Sequence, residues 1–208
     1  RYGSSAASDV YKRQLKNCKE ILLHKCSEAT FDGCLTFVIG ENGMDLAMKY
    51  GLPANQILKT GNWVGPLLVA AAENGVKKLL LFGYHGKLIK LSGGVFHTHH
   101  HLADGRIEIL TSLAFREGIS FDLIELISKS TSVENALLSL EASNPEAVSL
   151  IWSRMAKEIE IKSRRYINRY LSSSIEIGSV LFDRKRQIRW AGFEGLKQLN
   201  SFGLILKR

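Results

Sequence analysis

The chain has 208 residues, 45% hydrophobic and 23% charged, ordinary proportions for a globular protein and enough to bury a substantial core. Lys and Arg number 28 against 20 Asp and Glu, a formal net charge of +8 that favours an anionic partner: nucleic acid, acidic lipid, or a phosphorylated or polycarboxylated small molecule. No apolar run approaches the roughly 20 residues of a membrane-crossing helix, and the three cysteines (Cys18, Cys26, Cys34) form no CxxC pair, which points to a reducing, cytoplasmic compartment with no membrane partner.

In chain order, residues 1–14 are small and polar without a period and are expected to be an unstructured or foreign leader. Residues 15–28 place Leu15, Cys18, Ile21, Leu22 and Cys26 at helical spacing. A β-rich run at 35–39 ends in Gly40-Glu41-Asn42-Gly43 and is followed by a helix at 44–50, stopped by Gly51 and Pro53. A second short strand at 57–60 leads through Gly61-Asn62-Trp63-Val64-Gly65 into a helix at 66–74. A third, at 77–82, runs into Gly83-Tyr84-His85-Gly86-Lys87, where two glycines suit a tight turn beside a ligand. Strand, glycine turn and helix thus recur three times. That rhythm predicts a Rossmann-like α/β fold, a parallel sheet with right-handed crossovers whose glycine turns share one edge. Helices are expected at 103–117, 121–128, 133–140 and 145–171, with Thr131 and Asn144 at or near caps. A hairpin of 175–183 and 187–191 turns over Arg184-Lys185-Arg186, and a short helix follows at 193–199. The expected organisation is an α/β ligand-binding domain at 15–144 with a helix and β-hairpin, 145–208, packed on or beside it.

Most of the polar chemistry lies between Gly83 and Glu108. His97, His99 and His101 would share one face of a strand, and His97 and His101 one face of a helix. Such a cluster can bind a metal, contact a ligand, relay a proton near neutral pH, or sit at the surface with local hydrogen bonds. There is no HExxH, and Gly83-Tyr84-His85-Gly86-Lys87 matches neither GxxxxGK[ST] nor GxGxxG. Asp104 either starts a helix or holds a histidine or a ligand hydroxyl; Arg106 could grip a carboxylate with two nitrogens. Asn42 and Asn62 fit turn chemistry or a ligand contact. The basic helix bearing Arg154, Lys157, Lys162, Arg164, Arg165 and Arg169 reads as a solvated face before a nucleic-acid surface.

The segments GENG at 40–43, GNWVG at 61–65, LLLFGYHGKLIKLSGGVFHTH at 79–99 and ADGRIEIL at 103–110, in that order and spacing, resemble the cobalt-precorrin-5B C(1)-methyltransferases of anaerobic cobalamin biosynthesis. The resemblance runs from about residue 33 to 195, and members of that family carry a further amino-terminal portion. It implies methyl transfer from S-adenosylmethionine to carbon 1 of a cobalt-bearing, polycarboxylated corrinoid, with cobalt arriving inside the substrate and no metal held by the protein. On that reading His97, His99 and Asp104 are the catalytic candidates. Gly40, Asn42, Gly43, Asn62, Gly83, His85, Gly86, Lys87, Lys90, Thr98 and Arg106 are the candidates for binding substrate or S-adenosylmethionine. The alternative is a non-catalytic α/β module that holds an anionic ligand or nucleic acid on its basic surface. Homo-oligomerisation stays open in both.

Overall fold

The computed structural model describes residues 6–40, 42–99, 104–204 and 206. Five strands form one sheet in the order β2-β1-β3-β4-β5. β1 (Cys34–Ile39) lies parallel to β2 (Ile57–Lys59) on one side and to β3 (Lys78–Tyr84) on the other. β4 (Glu176–Phe182) is parallel to β3 along its whole length, and β5 (Ile188–Ala191) closes the edge antiparallel to β4. The hairpin expected on or beside the α/β domain supplies the last two of the five strands, β4 and β5. The mixed α/β architecture, mostly parallel with a carboxyl-terminal antiparallel pair, is the fold class read from the sequence.

The strands read as nearly continuous apolar runs because both faces are covered. Leu35, Phe37, Ile39, Leu79, Leu81, Ile177 and Leu181 point to one buried layer, and Val38, Leu80, Phe82, Val180 and Phe182 point to the other. The first is covered by α3 (Val64–Glu73), α4 (His85–Ser92), α5 (Arg106–Arg116), α6 (Phe121–Ser128), α7 (Val133–Ser143) and α8 (Pro145–Ile167). The second is covered by α2 (Met44–Lys49) and α9 (Phe193–Ser201). The four buried residues of α7, Val133, Ala136, Leu137 and Leu140, fall on one helical stripe, which packs against α8, α6 and α5. Asn144 caps α8 as expected, its Oδ1 accepting from Ala147 N at 3.0 Å. The cap of α7 is Ser132, one residue past the expected Thr131, accepting from Asn135 N at 3.1 Å.

Two expectations are corrected. α1 (Ala6–Ser27) includes residues 6–14, so this part of the expected structureless leader is helical. Leu15, Cys18, Leu22 and Cys26 anchor α1 on the core, and Lys12, Arg13 and Gln14, all good helix formers, extend the anchored helix backwards. Residues 1–5 lie outside the described residues. The second correction concerns Gly83 and Gly86, expected in a glycine turn: Gly83 is within β3 and Gly86 within the first turn of α4. The strand passes straight into the helix at Tyr84–His85. Glycine is needed at 83 for closeness, because a Cβ there would meet the Leu88 side chain and stand 2.9 Å from the Ile39 carbonyl oxygen. Among the described residues no helix is long and apolar enough to cross a membrane.

Candidate functional site

Parallel strands put the loops after β1, β3 and β4 on one edge of the sheet, and an open cleft of about 500 Å3 lies there. Its wall at β1 is Ile39, Gly40 and Asn42; at β3–α4 it is Tyr84, Gly86 and Lys87. Arg106 from α5, Ser132, Val133 and Glu134 from the start of α7, and Phe182, Asp183, Arg184 and Arg186 from the end of β4 complete it. Gly40 has φ of +105°, a conformation that side-chain-bearing residues rarely adopt, and it lets the chain leave β1 beside Lys87.

Of the residues singled out in the sequence, Gly40, Asn42, Gly86, Lys87 and Arg106 meet in this cleft. Gly43 sits just beneath it, against Val38, Phe82 and Phe182. His85 is fully buried behind it. The His85 Nε2 lies 2.9 Å from Glu134 Oε2, and its Nδ1 accepts from the indole Nε1 of Trp152 at 3.1 Å. The Tyr84 hydroxyl also donates to Glu134 Oε2, at 2.9 Å. Burial pushes the imidazole pKa down against the pull of the Glu134 carboxylate, so a neutral ring is favoured. Burial and the same carboxylate raise the Tyr84 phenol well above its usual range.

Asp104 and Arg106 pair with each other. The guanidinium donates to Asp104 Oδ1 at 2.5 Å and to Oδ2 at 2.9 Å, which pulls the carboxyl down to about 2. Asp104 thus stands at the start of α5, the first of its two readings, and turns to Arg106 because the two residues flank the left-handed Gly105 and fold back on one another.

The histidine segment forms a second, separate assembly. Phe96 and Thr98 pair with the loop after β2: Gly65 N donates to Phe96 O at 3.0 Å, and Thr98 N to Asn62 O at 3.1 Å. Thr98 Oγ1 donates to Asn62 Oδ1 at 3.2 Å. Lys90, only 2% exposed, reaches up from α4 and donates to the carbonyls of Thr98 and His99, both at 3.4 Å. His97 stands edge-on to Trp63 with ring centroids 4.5 Å apart, and both its ring nitrogens are buried without a hydrogen-bond partner among the described residues. Burial, with His99 and Lys90 nearby, lowers the His97 pKa. His99 meets Tyr11 of α1, 3.4 Å from ring nitrogen to hydroxyl. His97, Thr98, His99, Asn62 and Lys90 are thus brought together, but they do not line the cleft. His101, the third histidine of the expected cluster, lies outside the described residues. Among the described residues no three His, Cys, Asp or Glu side chains converge to hold a metal ion.

Sequence reasoning missed Tyr84, Ser132, Glu134, Asp183, Arg184, Arg186 and the supporting Trp152. Reading 176–182 as a parallel neighbour of β3 would have found the turn residues, since its carboxyl end must then share the glycine edge. Glu134 carried no such signal; an acidic residue in a helix's first turn is ordinary.

A mixed-charge cleft at the carboxyl edge of an open, mostly parallel sheet stands where α/β folds of this kind place small-ligand sites. Residues 97–192 match the family described as CbiD, C-terminal domain. Over 195 residues, 94% of its length, the chain is 93% identical to a protein of Prochlorococcus marinus strain NATL1A named cobalt-precorrin-5B C(1)-methyltransferase. It is 92% identical to the one of strain NATL2A and 55% identical to the one of strain SARG, each over 94% of this chain. Over nearly its whole length the chain is thus similar to proteins named cobalt-precorrin-5B C(1)-methyltransferase, the family that its glycine and histidine motifs resemble. It spans about half of the length of those relatives, 51% in each of the three. No solved structure matches it.

Proposed function

We propose that this chain belongs to an S-adenosylmethionine-dependent C-methyltransferase that acts in the cytoplasm on C-1 of cobalt-precorrin-5B, giving cobalt-precorrin-6A in cobalamin biosynthesis. The observation that carries this reading is the 93% identity, over nearly the whole chain, to a protein of that name. The cleft supports it on independent chemical grounds. Lys87, Arg106, Arg184 and Arg186 stand around it, which suits a macrocycle edged with acetate and propionate carboxylates. Its volume and its acidic Glu134 suit the second reactant, the methyl donor, which supplies an activated methyl group to the electron-rich ring carbon.

The protein's contribution to such a displacement is alignment. Holding two reactants in line is worth on the order of 7–11 kcal/mol of barrier. Cations on the rim would fix the macrocycle by its carboxylates, and the cleft floor would hold the donor. His97 and His99, expected as proton acceptors, stand apart from the cleft against Trp63 and Tyr11, so we assign them to bracing the loop after β2. Cobalt enters within the substrate.

The test is anaerobic incubation of the purified chain with S-adenosylmethionine and cobalt-precorrin-5B, read by mass spectrometry. A product heavier by one methyl group is expected, and its loss in Arg106→Ala without loss of fold. An unmethylated corrinoid, with affinity only for polyanions that falls steeply with salt, would favour the binding module instead.

A further inference from the structure

Among the described residues, the carboxylates around the sheet edge are engaged, with one exception. Asp104 gives both oxygens to Arg106. Asp183 accepts from Gln187 N at 3.0 Å and has Arg189 3.7 Å away. Deeper in, Glu160 is filled by the backbone N–H groups of Ser179, Glu194 and Gly195. Glu134 differs. Its side chain is 13% exposed and lines the cleft, both of its hydrogen bonds fall on Oε2, and Oε1 has no partner among the described residues.

The donors on Oε2 are fixed in direction. An indole N–H can only donate, so Trp152 makes His85 Nδ1 an acceptor; in the neutral ring Nε2 then carries the hydrogen and donates to Glu134. The Tyr84 hydroxyl donates to the same atom. One oxygen is thereby clamped from behind while the other meets the cleft, the form of a preset acceptor.

An acceptor of negative charge selects its ligand by chemistry. It repels carboxylates and attracts N–H and O–H donors. Under the methyl-transfer reading, on which this inference rests, only one reactant brings such donors. The corrinoid is edged with carboxylates and its ring nitrogens are occupied by cobalt. S-adenosylmethionine carries an α-ammonium group, two ribose hydroxyls and the adenine amino group. The cleft's volume, about 500 Å3, lies in the range of small-ligand sites and suits a nucleoside-sized molecule better than a macrocycle. Lys87 stands across the same cleft, and Arg184 makes no ion pair among the described residues.

We propose that Glu134 anchors the hydrogen-bond-donating portion of the methyl donor through Oε1, held in place by Tyr84, His85 and Trp152, while Lys87 and Arg184 face the carboxylates of the corrinoid. The cleft is divided between its two reactants by charge.

Calorimetric titration of the chain tests this with S-adenosylmethionine, 5′-methylthioadenosine and cobyrinic acid, a stable cobalt-bearing polycarboxylate. Glu134→Gln, which removes the charge and keeps the shape, is expected to weaken S-adenosylmethionine binding about 10- to 100-fold and to leave cobyrinic acid within about twofold. Arg184→Ala is expected to do the reverse, weakening cobyrinic acid about three- to tenfold. Tyr84→Phe, which drops one donor and keeps the ring, should weaken S-adenosylmethionine alone by a few-fold. The methylthioadenosine arm locates the contact: it keeps the nucleoside and lacks the cationic methionine portion, so a penalty that persists there assigns the nucleoside donors, and one that vanishes assigns the methionine portion. Either result keeps the anchor. Equal S-adenosylmethionine affinity in parent and Glu134→Gln overturns the anchor and leaves the methyl-donor reading standing. Equal losses for both ligands in Glu134→Gln and Tyr84→Phe show a structural role and overturn it too. A parent chain that binds no S-adenosylmethionine overturns the methyl-donor reading itself.

Discussion

Two polar assemblies sit side by side on this fold, and they are built in opposite ways. The sheet-edge cleft gathers charged side chains from β1, α4, α5, α7 and the β4–β5 turn around open space, with the supporting hydrogen bonds behind them. The histidine segment is closed. Thr98 is paired to Asn62, Lys90 is buried against two carbonyls, and His97 presses its ring on Trp63 with no partner for either nitrogen among the described residues. Density of titratable residues in sequence marked the second; the geometry of a ligand site belongs to the first. A histidine that packs by its edges braces a loop, whereas a carboxylate with one oxygen clamped and one exposed awaits a donor.

If the contrast holds, damage to the two regions should separate stability from binding. The largest effect is expected from Lys90→Met, which keeps the stem and deletes an ammonium that ties α4 to residues 98 and 99. Leaving those carbonyls without their donor should cost about 2–3 kcal/mol in urea unfolding and speed amide exchange across residues 96–99. Ligand affinity at the cleft should stay within a few-fold.

An intermediate effect should appear as acid destabilisation. The buried His85 has a folded pKa below the unfolded value near 6.5, so below that pH the unfolded chain binds a proton that the folded chain resists. Stability is therefore full above about pH 6.5 and is lost as pH falls toward the lowered folded value. Urea midpoints measured between pH 7.5 and 5 should fall, and the part of the fall due to this ring should be absent in His85→Gln. A midpoint in the parent that does not change over that range would contradict the neutral, indole-held imidazole.

The smallest effect is expected from Asp104→Asn. The pair with Arg106 is largely exposed, and such pairs contribute about 0–1 kcal/mol. Its stability should be present above the unfolded carboxyl value and fade as pH falls toward about 2. Thermal unfolding near pH 7 should shift little. If Asn at 104 instead abolished turnover with Arg106 intact, the catalytic role read from the sequence would return.

Much of the frame was legible because its signals are local. Apolar runs ended by glycine gave β1, β2 and β3, and parallel pairing then placed Gly40, Asn42, Gly86, Lys87 and Arg106 on one edge. What escaped depended on distant pairing. β4 lies some ninety residues beyond β3, and nothing within 175–191 distinguishes a free hairpin from the outer half of a sheet. Glu134 becomes special only when α8 carries Trp152 under His85, a contact across 67 positions. Residues 6–14 looked structureless because their helix is stabilised through α1's later contacts with the core. The chemistry of 97–99 was misleading for a related reason: spacing reveals that side chains can converge, and only packing reveals whether space remains between them.

The most direct test of the central claim is where the methyl donor sits. Ultraviolet cross-linking of methyl-labelled S-adenosylmethionine to the chain, followed by peptide mapping, reports this without turnover. Label is expected on peptides covering 39–42, 84–87, 132–134 and 182–184, and its yield should drop in Glu134→Gln. Label concentrated on Tyr11, Trp63 and residues 97–99, with the cleft peptides unmarked, would contradict the assignment and return the site to the histidines.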